Sequence, residues 1–433
     1  MRFTSTLFWA AAALPVTSAS PLLQNAQPEP VKPGNSSNTI QACLGAANAP
    51  VTASSSSDWS EDIRPYNARV RFAPALVSDT WRRSCSNRAA GPFLTVHVQV
   101  GMSGHSIHGG YGFGSHLYGL ATDWIVEATV VTADGKTVKA SQDQNPDLFW
   151  AIRGAGSSFG IVTEFRFNTF AAPGVVTWFS VPFNLKKDGL VAALAGLQAY
   201  AQGDMPAELN MRALITGGGT VFDGLYVGTE ARARSVLGKF LSPLGIDVGG
   251  GTLAQTNWTG QLAHFADGAD LDPTGPQRAT DTFYASSLLT KAVSQNGFRA
   301  FVDYYLTTAK STSTGWFVLV DVHGGRNSKT AQVANSATAY AHRDKVLLWQ
   351  FYDSSGNRAY PSSGYSFLVR WMSSVTGTMA KADWGRYANY ADSQLSNENA
   401  QDQYYRDNLP RLKTIKTKYD VKGLFTYPQG VGS

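Results

Sequence analysis

The sequence predicts an α+β fold built from more than one packed unit, and three observations carry that expectation. The chain has 433 residues, well beyond the ~250–300 at which single cores stop growing. Hydrophobic residues make up 43% and charged residues only 15%, which excludes wholesale disorder and leaves ample material for large cores. Strand-like and helical segments are mixed without the βαβ rhythm of a doubly wound sheet, and no internal repeat is present. Lys and Arg number 36 against 31 Asp and Glu, a net charge of +5 spread along the chain. No basic cluster interleaved with aromatics marks a nucleic-acid partner.

From the amino end, Met1-Arg2, the apolar run Leu7 to Leu14 and the small residues Thr17 to Ser20 form the three parts of a secretory signal peptide over residues 1–20. Residues 21–41, rich in Pro, Gln, Asn and Ser, read as a flexible mature N-terminus. No later stretch offers the ~18 apolar residues that span a bilayer, so a secreted protein without a membrane partner is expected. Sequons at Asn35-Ser36-Ser37 and Asn257-Trp258-Thr259 accord with export. Cys43 and Cys85, the two cysteines, are expected to form one disulfide in an oxidising compartment, with a pair of buried free thiols as the alternative.

Ile125 to Thr132 alternates, turns at Asp134-Gly135 and resumes at Thr137, the pattern of a hairpin. Asp147 to Arg153 reads as helix and Ile161 to Phe167 as strand. Helical spacing occupies residues 186–201 and 290–308, while the apolar runs Leu209 to Ile215, Trp316 to Val322 and Val346 to Tyr352 read as strands.

Residues 101–120 hold seven glycines in twenty. Glycine lets backbone N–H groups turn toward a bound group with no Cβ in the way, so the block can cradle a phosphate or a ring edge; a set of turns in a surface loop is the competing reading. Neither this block nor Gly154-Ala155-Gly156 has the spacing of the dinucleotide fingerprint that opens a helix after a first strand. Gly156-Ser157-Ser158-Phe159-Gly160 matches the nucleophile elbow of serine hydrolases, with His264, His323 and His342 as nominal partners for Ser158. The elbow needs a strand before it and a helix after it, and here the order is reversed. His97, His105, His108 and His116 cluster within twenty residues, but without the carboxylate or thiolate and defined spacing that zinc demands, so no metal is expected.

Taken together, Val100–Gly112, Tyr118–Asp123 and Asp147–Phe165, with Trp384–Asp392 and Tyr404–Leu412 near the end, resemble the berberine-bridge-enzyme-like FAD-linked oxidases of the vanillyl-alcohol-oxidase superfamily. The secreted fungal glucooligosaccharide and chitooligosaccharide oxidases are the branch it is most similar to. The resemblance covers most of residues 42–430 and implies a two-lobed PCMH-type FAD-binding domain over 42–172. A substrate domain with an antiparallel sheet flanked by helices follows over 173–384, and residues 385–433 return to the FAD domain. It implies FAD as cofactor, held by Gly101, Ser103, Gly104, His105, His108, Gly109, Gly110, Gly112, Gly154, Gly156, Gly160, Ile161, Val162 and Asn389.

In such oxidases a substrate alcohol loses a proton to a side-chain base while hydride passes to the flavin, and dioxygen reoxidises it. Asp321 then matches the acid that takes a proton from a tyrosine, Tyr390 matches that tyrosine with Tyr387 as second choice, and Gln350 matches a pocket position beside the reacting carbon. A small-molecule substrate, either a carbohydrate or a small secondary metabolite, dioxygen and a monomeric state are implied. Asn210 and Arg212, two apart on one strand face, either line a substrate groove or face solvent. Trp258, Trp316 and Trp349 read as core aromatics, with stacking on sugar rings as the alternative.

The sequence departs from the family between 91 and 101. The segment with the Gly-Gly-His-Ser-type motif, whose histidine bonds covalently to flavin, has no match, a loss of roughly 60–70 residues or several strands of one lobe. His97 stands where the oligosaccharide branch carries its second tether, a cysteine. The expected protein is therefore a secreted FAD-linked oxidase with a truncated first lobe, and the alternative is an inactive relic or mis-spliced product serving at most as a binding scaffold.

Overall fold

The computed structural model describes residues 101–266, 280–426 and 429–432, together with Asn67, Arg69 and the backbone of two short strands, Val51–Ala53 (β1) and Leu76–Ser78 (β2). The signal segment 1–20, residues 21–41, Asn35, Cys43, Cys85 and His97 lie outside the described residues. No helix among those described is long and apolar enough to cross a membrane.

The first sheet joins Ile125–Val131 (β3), Thr137–Ser141 (β4) and Ile161–Phe167 (β5) in the order β4-β3-β5, all antiparallel. The hairpin expected from Asp134-Gly135 is there: Gly135 adopts φ 78°, and Thr132 Oγ1 donates to Asp134 Oδ1 at 2.6 Å. Between β4 and β5 runs the helix Pro146–Ala155, opened by a proline that has no N–H to leave unpaired. It turns Leu148, Phe149, Ile152 and Ala155 into a core shared with Ala400, Tyr404, Leu412, Ile415 and Val431 from the end of the chain.

The second sheet has eight antiparallel strands: Val176–Pro182 (β6), Leu209–Thr216 (β7), Gly219–Tyr226 (β8), Thr252–Thr256 (β9), Thr282–Thr290 (β10), Gly315–Val322 (β11), Leu347–Gly356 (β12) and Trp384–Gly385 (β13). Their order is β13-β10-β12-β11-β7-β8-β6-β9. Alternate residues such as Met211, Ala213, Val318, Val320, Trp349 and Phe351 pack under the helices Lys187–Gln202, Glu230–Leu241, Gln295–Thr307 and Ser362–Thr376. The other set, including Arg212, Asp321, Leu348 and Leu289, points toward the glycine-rich block. With both faces covered, β11 and the first half of β12 read as near-continuous apolar runs rather than as alternating ones.

Two expectations shift. Residue 290 closes β10 rather than opening a helix, and the helix starts at Gln295, where Ser294 Oγ accepts the Gly297 N–H. The glycine-rich block is not a surface loop: it contains the short helices Met102–Ser106 and Ser115–Tyr118, and His108 to His116 are buried. Trp258, Trp316 and Trp349 are 6%, 5% and 0% exposed, so they are core side chains and the sugar-stacking alternative falls.

Candidate functional site

Tyr387 and Asn389 reach from the C-terminal segment onto the glycine block. The Tyr387 oxygen accepts the N–H of Gly110 at 2.9 Å, the N–H of Tyr111 at 3.0 Å and Nδ2 of Asn389 at 2.8 Å. Asn389 Nδ2 also donates to the carbonyl of His105 at 3.0 Å. The peptide of Tyr387 is fixed in turn, because its N–H donates to Ser287 Oγ on β10 at 3.0 Å. Three donors on one phenol oxygen occupy the lone pairs a base would use. Tyr387 is thereby a clamp on the block, which separates it from Tyr390.

Tyr390 stands edge-on to Tyr387, ring centres 5.0 Å apart. Burial, and then the negative charge of Asp321, push its phenol well above the usual tyrosine range. Asp321, on β11 and 3% exposed, is raised to about 7, chiefly by burial, with Arg212 opposing. Gln350 is opposite Leu319, and Leu348 is opposite Asp321, so Gln350 and Asp321 occupy adjacent rows on one face of the β11–β12 ladder. The structure thus brings Asp321, Gln350, Tyr387, Tyr390 and Asn389 to one side of the large sheet.

Asn210 and Arg212 are neither solvent-facing nor open to a groove. Asn210 Nδ2 donates to the Gly112 carbonyl and to Tyr111 Oη, both at 3.3 Å, and Arg212 forms a buried bidentate pair with Asp223. Asp223 and Tyr111 escape sequence reasoning. Tyr111 Oη donates to the Val322 carbonyl at 2.9 Å, next to Asp321. So does a buried pair beside them: His323 Nδ1 donates to the Lys345 carbonyl at 3.2 Å, which leaves Nε2 to accept the Tyr340 hydroxyl at 2.7 Å. Burial lowers His323 to about 4, so its ring is neutral.

The glycines divide into two groups. A Cβ on Gly109 would stand 2.8 Å from the Tyr340 ring, on Gly110 2.5 Å from Ala121 Cβ, and on Gly154 2.1 Å from the Tyr340 backbone nitrogen; on Gly156 and Gly160 it would crowd Ile107 and Val130. These five are required by internal packing. Gly101 and Gly104 would meet nothing within 4 Å, and with Ser103 and His105 they form the half-exposed end of the block. Gly112 is tied to Ser115 Oγ through its N–H at 3.0 Å. Ile161 and Val162 pair with Val131 and Val130 as the start of β5.

The hydrolase reading fails on geometry. Ser158 is fully buried, its Oγ accepts the Val431 N–H at 3.1 Å, and the strand β5 follows it. His264 stacks on Trp178 and His342 Nε2 is held by the Tyr404 carbonyl. The histidine against this turn is His108, whose Nε2 lies 2.9 Å from Ser157 Oγ. His116 Nδ1 goes instead to the Ala207 carbonyl, and no cluster of three or more His, Cys, Asp or Glu able to hold a metal occurs among the described residues.

In the block and the turn that follows it, Ser106 Oγ, His105 Nε2 and Thr122 Oγ1 are enclosed without a hydrogen-bond partner among the described residues. Buried polar atoms of this kind fit a polar ligand running along the block. A family profile described as "FAD binding domain" matches residues 38–141, which include all three, and one described as "Berberine and berberine like" matches residues 386–432, which include Tyr387, Asn389 and Tyr390.

Among similar proteins, the carbohydrate oxidase of Microdochium nivale is 34% identical over 470 positions, covering 90% of this chain and 94% of the relative. The chitooligosaccharide oxidase of Gibberella zeae is 41% identical over 337, covering 77% of this chain and 68% of the relative. The crystal structure of the Microdochium nivale enzyme with a substrate analogue superposes with a TM-score of 0.83 at 33% identity, over 91% of this chain and 99% of that one. The fold and site define an FAD-dependent oxidoreductase. The chain belongs to the berberine-bridge-enzyme-like FAD-linked oxidases, and its cofactor is FAD. In the first of these alignments, 90% of 433 residues fill 470 positions, so about 80 positions in all face no residue here, a total comparable in size to the expected truncation.

Proposed function

We propose that this protein oxidises an alcohol carbon of a carbohydrate, with dioxygen as final acceptor and hydrogen peroxide as product, outside the cell. The observation that carries the reading is the burial of the Asp321 carboxyl on the sheet face that meets the glycine block, where its charge adds to burial in raising the Tyr390 phenol. When bound, FAD supplies the hydride acceptor and the site of reoxidation. Tyr390 takes the proton of the substrate hydroxyl and passes its own to Asp321. Gln350 orients the reacting carbon. Tyr387 and Asn389 hold the glycine block in register with these groups, a positioning task in which small displacements are costly. The exposed Asn257, whose Oδ1 caps a helix by accepting the Gly260 N–H, leaves its Nδ2 for the glycan expected on an exported chain.

The test is a visible spectrum of the purified protein before and after acid precipitation, followed by rapid-mixing reduction with oligosaccharides. Flavin bands that bleach with a sugar in wild type and persist in Asp321→Asn support the reading; bleaching at an unchanged rate in the variant removes Asp321 from the reaction. The shortfall of about 80 aligned positions favours a second reading, a binding protein on an oxidase fold. A colourless protein that binds sugar would establish that one.

A further inference from the structure

Asp321 is one of three charged side chains in a single row. On the large sheet Asp321 of β11 is the register partner of Arg212 of β7, and Arg212 is the partner of Asp223 of β8. Register partners project from the same face, so two carboxyls flank one guanidinium there. The cation is not shared evenly. Its Nε lies 2.9 Å from Asp223 Oδ1 and its Nη2 3.0 Å from Asp223 Oδ2, with side-chain exposures of 5% and 8%. The guanidinium plane also lies over the Phe113 ring, its carbon 5.0 Å from the ring centre. A bidentate fork is the geometrically most specific arrangement the two groups can make, and it commits one whole edge of Arg212 to Asp223.

The remaining groups facing Asp321 do not bring a cation. Tyr111 comes from the glycine block and Tyr390 from the C-terminal segment, and burial, then the charge of Asp321, raises both phenols. Leu348 is its partner on β12. His323, just past the end of β11, is neutral with both ring nitrogens engaged. The Arg212–Asp223 pair is neutral as a whole, so Asp321 is the carboxyl that carries the unbalanced charge in a buried site, where protonation is the ready way to discharge it.

We infer that Asp223 is a positioning residue for the oxidation: by holding Arg212 edge-on, it keeps Asp321 an exchangeable proton acceptor for Tyr390 rather than the permanent partner of a salt bridge. The inference rests on the assignment of Asp321 as the acceptor of the Tyr390 proton. In that step the substrate O–H proton moves to the Tyr390 oxygen and the Tyr390 proton to an Asp321 oxygen, so the charge on Asp321 is lost as the phenol is restored. A carboxylate already neutralised by Arg212 would resist that transfer, and one with no cation nearby would not ionise at neutral pH. Placing the guanidinium in the same row but fastening it to a second carboxylate gives the intermediate case.

The experiment compares wild type with Asp223→Asn, which keeps the shape and one acceptor oxygen for Arg212 but removes the charge. Two quantities are followed in the flavin-loaded full chain: the acid limb of the flavin-reduction rate against pH, and the infrared band of the Asp321 carboxylic acid between pH 5 and pH 9. Both should move to lower pH by one unit or more in Asp223→Asn, a tenfold or greater rise in reduction rate on the acid limb. Arg212→Lys, which keeps the charge without the fork, should shift them in the same direction and serves if Asp223→Asn does not fold. Asp321→Asn is the reference and should erase both the band and the limb. If it erases neither, the assignment of Asp321 is wrong. If it erases both while Asp223→Asn and Arg212→Lys leave band and limb in place, Asp223 has no positioning role.

Discussion

The phenol oxygen of Tyr387 accepts the backbone N–H of Tyr111 at 3.0 Å, a contact between residues 276 apart that fixes the glycine block against the C-terminal segment. Tyr387→Phe leaves this N–H, that of Gly110 and the amide of Asn389 without their acceptor, and each unpaired buried donor costs ~1–3 kcal/mol. Thermal unfolding of Tyr387→Phe should show a clear loss of stability with a partial loss of rate. Tyr390→Phe should do the reverse: near wild-type unfolding, and flavin reduction slowed ~100-fold or more. Equal behaviour of the two variants would contradict the division between clamp and base.

Asp321 gives a pH signature in stability as well as in rate. Its carboxyl titrates at about 7 in the folded chain against an ordinary value of 3.8. The folded state therefore holds a proton over that window which the unfolded state has released, and the stability this confers is complete below about pH 4 and is lost as pH rises through 7. Asp321→Asn has no such loss. Denaturant unfolding should find the variant more stable than wild type at pH 8, by on the order of 4 kcal/mol at most, with the difference vanishing toward pH 4. A difference independent of pH would show that Asp321 ionises normally.

Gly154 adopts φ 147°, and a Cβ there would lie 2.1 Å from the Tyr340 backbone nitrogen. Gly154→Ala must displace the Tyr340 segment, which the Gly154–Tyr340 contact seats beside Tyr387. Loss of soluble protein, or a stability loss of ~3 kcal/mol or more, is the expected outcome on expression and thermal melting. A wild-type melting profile would show that the turn can relax.

Lys416 is buried with its ammonium on the Ser158 carbonyl at 2.6 Å, Asp420 Oδ2 at 2.7 Å and the Phe425 carbonyl at 2.7 Å. Lys416→Met fills the space but leaves the Asp420 carboxylate with the Leu424 and Phe425 N–H groups and no counter-charge, and removing one partner of a buried ion pair costs up to ~3–5 kcal/mol. Limited proteolysis should cut the variant near residues 420–426 under conditions that leave wild type intact. Resistance equal to wild type would mean that packing alone holds the tail.

What the sequence reveals follows a physical division. The hairpin at Asp134-Gly135, the helix after Asn145 and the runs of β7, β11 and β12 are legible because local turn chemistry and apolar content dictate them. β10 is not, since Thr282–Thr290 is buried on both faces and carries neither alternation nor a turn signal at its end. Asp321, Gln350, Tyr387, Tyr390 and Asn389 are legible through motif resemblance. Asp223, Tyr111 and the His323–Tyr340 pair are invisible to it because register and packing, rather than spacing, bring them to the site.

The core of the small sheet is closed by residues from the far end of the chain: Val431 and Lys416 bind Ser158 across 273 and 258 residues. A ribosome therefore releases β3, β4, β5 and the helix Pro146–Ala155 long before their covering exists. At ~5–20 residues per second the small sheet waits tens of seconds with its apolar face open, while the large sheet, whose strands lie within 176–385, can form in the interval. Synthesis that stops a few dozen residues early would yield a folded large sheet joined to an unfinished small one, and the small one is where chaperones would be expected to bind.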